Sequence, residues 1–268
     1  MSATAERPTE EPTTPVLTIE GHRATIRLNR PAKLNRIEPP DLVALRDHLR
    51  AVETTAGLRV LVLTGTGRVF SAGYHIGDLD DRQAGRARDP VEPVSFDTVA
   101  DALENCRVPT ICALNGSVYG GSTDLALACD FRIGSLGSEM LMPAGKLGVH
   151  YYLSGLQRYV SRLGLGAAKR LFLTARPIDC EEMLRIGYLD QAVAQDALSE
   201  AVDALADIIA SNAPLSLQHM KRALNQIARG DVDPQAFEAG YRACNESRDL
   251  TEGITAWKER RPPQFTGE

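Results

Sequence analysis

The chain has 268 residues, 43% hydrophobic and 24% charged, which suits one globular core of ordinary composition, with or without a small appendage. A formal net charge of −5 argues against a nucleic-acid surface as its main business, although the local cluster Lys258, Arg260 and Arg261 is able to hold phosphates. No apolar run approaches the roughly 20 residues that span a bilayer, so no membrane partner is expected.

In chain order, residues 1–15 carry Glu6, Glu10, Glu11, Pro8, Pro12 and Pro15. They lack the apolar stretch of a signal peptide and the Arg-rich character of a transit peptide, so they read as a disordered leader on a cytoplasmic protein. Val16–Glu20 and Ala24–Leu28 alternate around Gly21-His22, a hairpin pattern. Asp41 is expected to cap a helix whose Leu42, Leu45, Leu49 and Val52 share one face. Arg59–Thr64 is an apolar run between Gly57 and Gly65, which predicts a buried strand. Asp78, Asp80 and Asp81 open a polar stretch with no metal-ligand spacing and read as a solvated loop.

A helix is expected around Phe96–Cys106 and a buried strand at Thr110–Leu114, followed by turns at Asn115-Gly116 and Gly120-Gly121. Next come a helix through Leu125–Ala128 and a strand at Phe131–Ile133. From about Gly155 strands nearly vanish and helices run to Lys258, one of them opened by the capping-box spacing of Asp179 and Glu182. This order predicts an α/β core over 16–200 and a helical region over 201–268. The apolar surface of that region points to packing against other subunits. Cys106, Cys112, Cys129, Cys180 and Cys244 form no Cys-x-x-Cys pair and read as reduced thiols; no metal site is expected.

Two glycine-containing segments have the character of ligand loops. Val69-Phe70-Ser71-Ala72-Gly73-Tyr74-His75 follows the Arg59–Thr64 strand. Asn115 to Asp124, with Gly116, Gly120 and Gly121, lies between a strand and a helix. Small residues let a ligand approach the backbone, and a helix start offers unpaired N–H donors to an anion or to an oxygen becoming anionic. Neither a dinucleotide-binding nor a P-loop pattern is present, and Gly116-Ser117-Val118-Tyr119-Gly120 is not a hydrolase nucleophile elbow.

Taken with Leu28-Asn29-Arg30-Pro31, Leu34-Asn35, Val62-Leu63-Thr64-Gly65, Leu125-Ala126, Cys129-Asp130, Lys146-Leu147-Gly148 and Leu173-Thr174 through Gly187, these segments resemble the crotonase, or enoyl-CoA hydratase/isomerase, superfamily. The resemblance runs in order over nearly all of the chain from Ile26. It implies a spiral of β-β-α turns with C-terminal helices that assemble homotrimers or homohexamers. It also implies an acyl-CoA thioester as substrate, with coenzyme A belonging to the substrate and no separate cofactor. By position, the N–H groups of Tyr74 and Gly121 would form an oxyanion hole, and Lys33, Leu34, Ala72, His75 and Ile76 would hold coenzyme A.

Hydratases of this family use two glutamates. Here Asp124 stands at the first position, and Ala144, which cannot move a proton, stands at the second. The stretch Leu147–Gly155, with Tyr151, is most similar to the methylmalonyl-CoA decarboxylases of the family, from which it departs at Tyr74, Asp124 and His150. Three readings follow. The first is a lyase that decarboxylates a methylmalonyl-type thioester, with Tyr151 orienting the carboxylate. The second is a hydratase or isomerase in which Asp124, with His150 as a candidate acid, does the proton work. The third is an acyl-CoA-binding protein without turnover. Tyr151 and Tyr152 could equally be packed aromatics.

Overall fold

The protein was analysed as a computed structural model that describes residues 13–75 and 94–268. Ile76, the Asp78–Asp81 loop and residues 1–12 of the expected leader lie outside the described residues.

Strands β1 (Val16–Glu20) and β2 (Arg23–Leu28) form the expected antiparallel hairpin. Strands β3 (Val60–Gly65), β4 (Thr110–Leu114), β6 (Phe131–Ser135) and β9 (Gln191–Val193) continue the sheet in parallel, in the order β1-β2-β3-β4-β6-β9. Three residues are too few to show a period, which is why β9 was not expected. The parallel strands are covered on both faces, as such sheets require. Leu61 and Leu63 point into a cluster with Leu42, Leu45 and Leu49 of α1 (Pro39–Thr54). Val60 and Val62 pack with Leu198, Val202, Ala206 and Ile209 of the helix Leu198–Ala210, so the expected division at residue 200 falls inside an element that covers the sheet. Each such fully buried aliphatic side chain contributes about 1.5–3 kcal/mol.

Asp41 does not cap α1. Pro39 and Pro40 begin the helix earlier, Glu38 is the capping residue, and the Asp41 carboxylate accepts the Glu38 N–H at 2.9 Å from inside the first turn.

A second, smaller sheet runs beside the first: β5 (Val118–Tyr119), β7 (Glu139–Leu141) and β8 (Ile178–Asp179). β4 of the large sheet leads to β5 of the small one, and β6 likewise leads to β7. After β3, Ser71 takes the corresponding place by pairing in parallel with Val118. Successive turns therefore stack the same part of each turn side by side. Two asparagines hold the turns in register. Asn35 accepts the Arg30 N–H at 3.0 Å and donates to the carbonyls of Thr66 and Val69 at 2.8 and 2.9 Å. Asn115 accepts the Gly65 N–H at 3.0 Å and donates to Gly67 at 2.7 Å.

The remaining helices in chain order are α2 (Phe96–Glu104), α3 (Ser122–Ala128), α4 (Ala144–Leu147), α5 (Leu153–Thr174), α6 (Cys180–Arg185), α7 (Leu198–Ala210), α8 (Pro214–Arg229), α9 (Pro234–Asn245) and α10 (Arg248–Glu259). Gly164 interrupts α5 with φ 80°. The Asp179 side chain accepts the Glu182 N–H at 2.9 Å and so caps α6, as its spacing predicts. Among the described residues no helix is long and apolar enough to cross a membrane.

Replacing Asn35 by Leu leaves one N–H and two carbonyls without their partner. The expected loss is about 1–3 kcal/mol of stability, read from the urea midpoint. An unchanged midpoint would show that the asparagine does not hold the turns together.

Candidate active site

The loop after β3 and the loop after β5 lie against one another. The Phe70 N–H donates to Ser117 O at 3.1 Å, and the Tyr119 N–H to Ser71 O at 3.0 Å. Gly73 has φ +93°, and a β-carbon there would come within 2.7 Å of Tyr119 O, so only glycine permits this approach. On its other edge the first loop pairs Tyr74 with Ile37, through Ile37 N–H to Gly73 O and His75 N–H to Ile37 O, both 2.9 Å. Successive backbone groups of an extended segment point to opposite sides. The Gly73 carbonyl is turned to Ile37, so the Tyr74 N–H of the same trans peptide points away from Ile37. Gly121 precedes α3, and its N–H takes no partner among the described residues. Phe96 spans the two: its ring lies edge-on to Tyr74 with centroids 5.8 Å apart, and a β-carbon on Gly121 would come within 3.0 Å of it.

Asp124 sits in the first turn of α3, a short helix buried on every side, and is 0% exposed. Its Oδ2 accepts from the Tyr152 hydroxyl and from Arg158 Nη1, the latter at 2.5 Å; its Oδ1 is buried with no partner among the described residues. Arg158, on α5, is itself 1% exposed. Its guanidinium also meets Asp101 at 2.7 Å and Glu104 at 3.1 Å, both on α2. Glu104 is held in addition by Arg162 and Arg229, each at 3.2 Å.

These carboxylates divide in their proton affinity. Burial alone would raise Glu104, but Arg158, Arg162 and Arg229 outweigh it and hold Glu104 below the usual range. Asp124 has the full cost of burial and one cation, shared with two other acids. Burial wins there, and Arg158 and Tyr152 offset only part of the rise. Burial opposes the charge of Arg158, yet Asp124 and Glu104 more than compensate and keep it protonated. Asp124 is thus shifted toward holding a proton and Glu104 away from it. Groups pushed apart in this way are the mark of assigned acid and base roles.

The expected site residues among those described separate into four groups. Tyr74, Gly121 and Asp124 are linked through two rings: Phe96 lies against Tyr74 and Gly121, Tyr152 donates to Asp124, and the two rings are 6.4 Å apart. Ala72 and His75 flank Tyr74 in the first loop, and the Ala72 N–H donates to Leu34 O at 2.8 Å, which brings Lys33 and Leu34 beside that loop; the Lys33 ammonium is exposed, 3.7 Å from Glu38. His150 is exposed and bonds the Tyr151 carbonyl at 2.9 Å, with no bond to Asp124. Tyr151 lies one step from Asp124. Its ring stacks on Tyr152 at 4.4 Å, its hydroxyl donates to the Tyr152 hydroxyl at 3.4 Å, and Gly155 leaves the space for both rings. Burial pushes both phenols well above their ordinary range, so both stay protonated donors. Ala144 is buried, and Gly120 N–H to Leu141 O at 2.9 Å sets the turn that carries it beside the second loop.

Tyr152, Arg158, Glu104 and Phe96 were not expected here. One signal existed: Arg158 and Arg162 recur at four residues, facing Asp101 and Glu104 at three, a complementary pattern on two helices. Among the described residues no group of His, Cys, Asp or Glu is arranged to hold a metal.

The sequence profile of the enoyl-CoA hydratase/isomerase family matches residues 18–268. The chain is similar to the short-chain-enoyl-CoA hydratase of Clostridium acetobutylicum, at 31% identity over 92% of this chain and 95% of the relative. It is equally similar to the 1,2-epoxyphenylacetyl-CoA isomerase of Escherichia coli, at 31% over 91% and 95%. Among solved structures, the enoyl-CoA hydratase of Bacillus anthracis superposes with a TM-score of 0.83 at 29% identity, over 95% of this chain and 100% of that one. The fold is thus the spiral that the motifs implied.

Replacing Arg158 by Met leaves Asp124 and Glu104 buried around a missing cation. The expected cost is about 3–5 kcal/mol in urea unfolding. A variant as stable as the parent would mean that the cluster carries no net charge pairing.

Proposed function

The chain belongs to the enoyl-CoA hydratase/isomerase family, and on that premise we propose that it moves a proton along the acyl chain of an enoyl-CoA thioester, with Asp124 as the proton carrier. The observation that carries this reading is the Asp124 carboxyl, buried, raised in proton affinity by that burial, and with Oδ1 unengaged among the described residues.

In this reading the thioester oxygen accepts the N–H groups of Tyr74 and Gly121. They draw electron density from the α-carbon and meet the charge as it develops on oxygen. Asp124 Oδ1 takes the α-proton of a β,γ-unsaturated thioester. The C–H pair becomes the bond between the carbonyl carbon and the α-carbon of a dienolate, with the negative charge on the thioester oxygen. When the same carboxyl returns the proton, the β,γ pair takes it at the γ-carbon, the other pair moves to the α,β position and the carbonyl re-forms, giving the α,β-enoyl product. Arg158 balances the anionic form of Asp124, and the Tyr152 hydroxyl keeps Oδ2 turned away from the reaction. Lys33, Leu34, Ala72 and His75 flank the coenzyme A portion.

Isomerisation fits this site better than two-carboxylate hydration. One group suffices to take and return a proton, whereas hydration also asks for a second acid or base where Ala144 offers a methyl group. The relatives named for hydration and isomerisation favour this alternative over decarboxylation. So does Tyr151, whose hydroxyl is directed to Tyr152. The apolar side chains left exposed on α8–α10, among them Leu224, Phe237, Tyr241 and Trp257, support a homotrimer or homohexamer.

The Asp124→Asn variant should lose about 10²–10⁴-fold in kcat for conversion of a β,γ- to an α,β-enoyl-CoA, while still binding the thioester in calorimetry. The parent kcat/KM should fall on the acid side, at a pH above the ordinary aspartate value of about 4, because the basic form is lost as pH drops through the raised pKa. Full activity of Asp124→Asn, or CO₂ release from methylmalonyl-CoA without isomerisation, would overturn the reading.

A further inference from the structure

We infer that Glu104 and Arg229 are positioning residues that set how much of the Arg158 charge is available to Asp124, and thereby the pH range in which Asp124 exchanges its proton. The inference rests on the proton-carrier role proposed for Asp124 and goes beyond it by naming what tunes that group.

The geometry is a line of alternating charge. Asp124 meets Arg158 at 2.5 Å, Arg158 meets Glu104 at 3.1 Å, and Glu104 meets Arg229 at 3.2 Å. The line begins at a fully buried carboxylate and ends on the last turn of α8, where the Arg229 side chain is 17% exposed. Glu104 is fixed in place from α8 as well, since Asn225 Nδ2 donates to its main-chain carbonyl at 3.0 Å. Glu104 is thus a second claimant on the one cation that Asp124 has. Each added cation on Glu104 weakens that claim.

Every element packed on α3 contributes to the balance. From α2 come Asp101 and Glu104, and from α5 come Arg158 and, one step removed, Arg162. The tyrosines nearby are neutral. Tyr152 donates to Asp124, Tyr159 shares a hydrogen with Thr123 at 2.6 Å, and Tyr188 donates to Thr123 O at 2.8 Å. Strand β5 brings Tyr119, whose hydroxyl is turned to Glu139. Charge variation at Asp124 therefore enters through the acids of α2 and their arginines.

The signs are opposite for the two ends. Removing the Glu104 charge frees Arg158 for Asp124, favours the carboxylate and lowers its pKa. Removing the Arg229 charge leaves Glu104 with Arg158 and Arg162 alone, strengthens its hold on Arg158 and raises the Asp124 pKa. A purely structural role would give loss of stability in both variants, with no such opposition.

The test follows the Asp124 carboxyl carbon by NMR across a pH titration of the intact protein labelled with ¹³C-aspartate, its signal assigned by its loss in Asp124→Asn. Glu104→Gln should move the midpoint down by on the order of one pH unit, and Arg229→Gln should move it up by less, because Arg229 is partly open to solvent. Glu104→Asp, which keeps the charge, should return the midpoint close to the parent's. The acid limb of kcat/KM should follow the same shifts. Midpoints that stay fixed, or that move the same way in both variants, would overturn the inference. Opposite carboxyl shifts without a matching change in the acid limb would support it while removing Asp124 from the proton-transfer step. Should Glu104→Gln not fold, the direction found for Arg229→Gln alone decides the matter.

Discussion

Two main-chain hydrogen bonds, Phe70 N–H to Ser117 O and Tyr119 N–H to Ser71 O, bind one turn of the spiral to the next at the level where the chain leaves the large sheet. The placement of residues 74 and 121 follows from them. Both loops occupy the same part of successive turns, and the pairing of Ser71 with Val118 fixes how far one turn is displaced from the other. The demand on the sequence is that nothing larger than a hydrogen stand at Gly73, where Tyr119 O approaches, and that Asn35 and Asn115 hold the neighbouring turns. In the proposed function, donors fixed in this way would need no rearrangement as charge develops on the thioester oxygen, which is the condition for effective electrostatic stabilisation.

The buried ion cluster answers a different requirement. A carboxyl that accepts and returns a proton within a low-dielectric interior must be stable in both charge states. A lone buried aspartate would stay protonated, and a fully compensated one would be too weak a base. Sharing Arg158 among Asp101, Glu104 and Asp124 gives an intermediate position. Glu104, served by three arginines, is favoured as the anion, and Asp124, with one shared cation, is the carboxyl that the proposed function makes the proton carrier. The packing of α2, α3 and α5 is therefore part of the chemistry, because it decides which carboxylate lies next to which guanidinium.

What was legible in the sequence was what local backbone chemistry dictates. Gly73, Gly120 and Gly121 mark tight approaches, and a small residue is needed within a few positions of the turn itself. The hairpin, the buried strand Thr110–Leu114, the strand expected at Arg59–Thr64 and found one residue later at Val60–Gly65, and the apolar face of α1 were readable from period and punctuation. Arg158 was not. It lies 34 positions after Asp124, and on an amphipathic helix an arginine ordinarily belongs to the solvated side. Tyr152 and Tyr151 are adjacent, and sequence alone favoured Tyr151, whereas the start of α5 directs Tyr152 to the carboxylate and leaves Tyr151 stacked behind it. The start of α1 was misassigned for a related reason: Asp41 is a good capping residue, but two prolines ahead of it begin the helix sooner.

The account turns on a carbonyl oxygen held by two backbone amides with an aspartate on the reacting face. A crystal structure of the protein with a non-reactive enoyl-CoA analogue tests that most directly. The thioester oxygen is predicted to lie about 3 Å from the N atoms of both Tyr74 and Gly121, with Asp124 Oδ1 against the α- and γ-carbons. A thioester seated away from those amides, or an acyl chain that Asp124 does not touch, would contradict it.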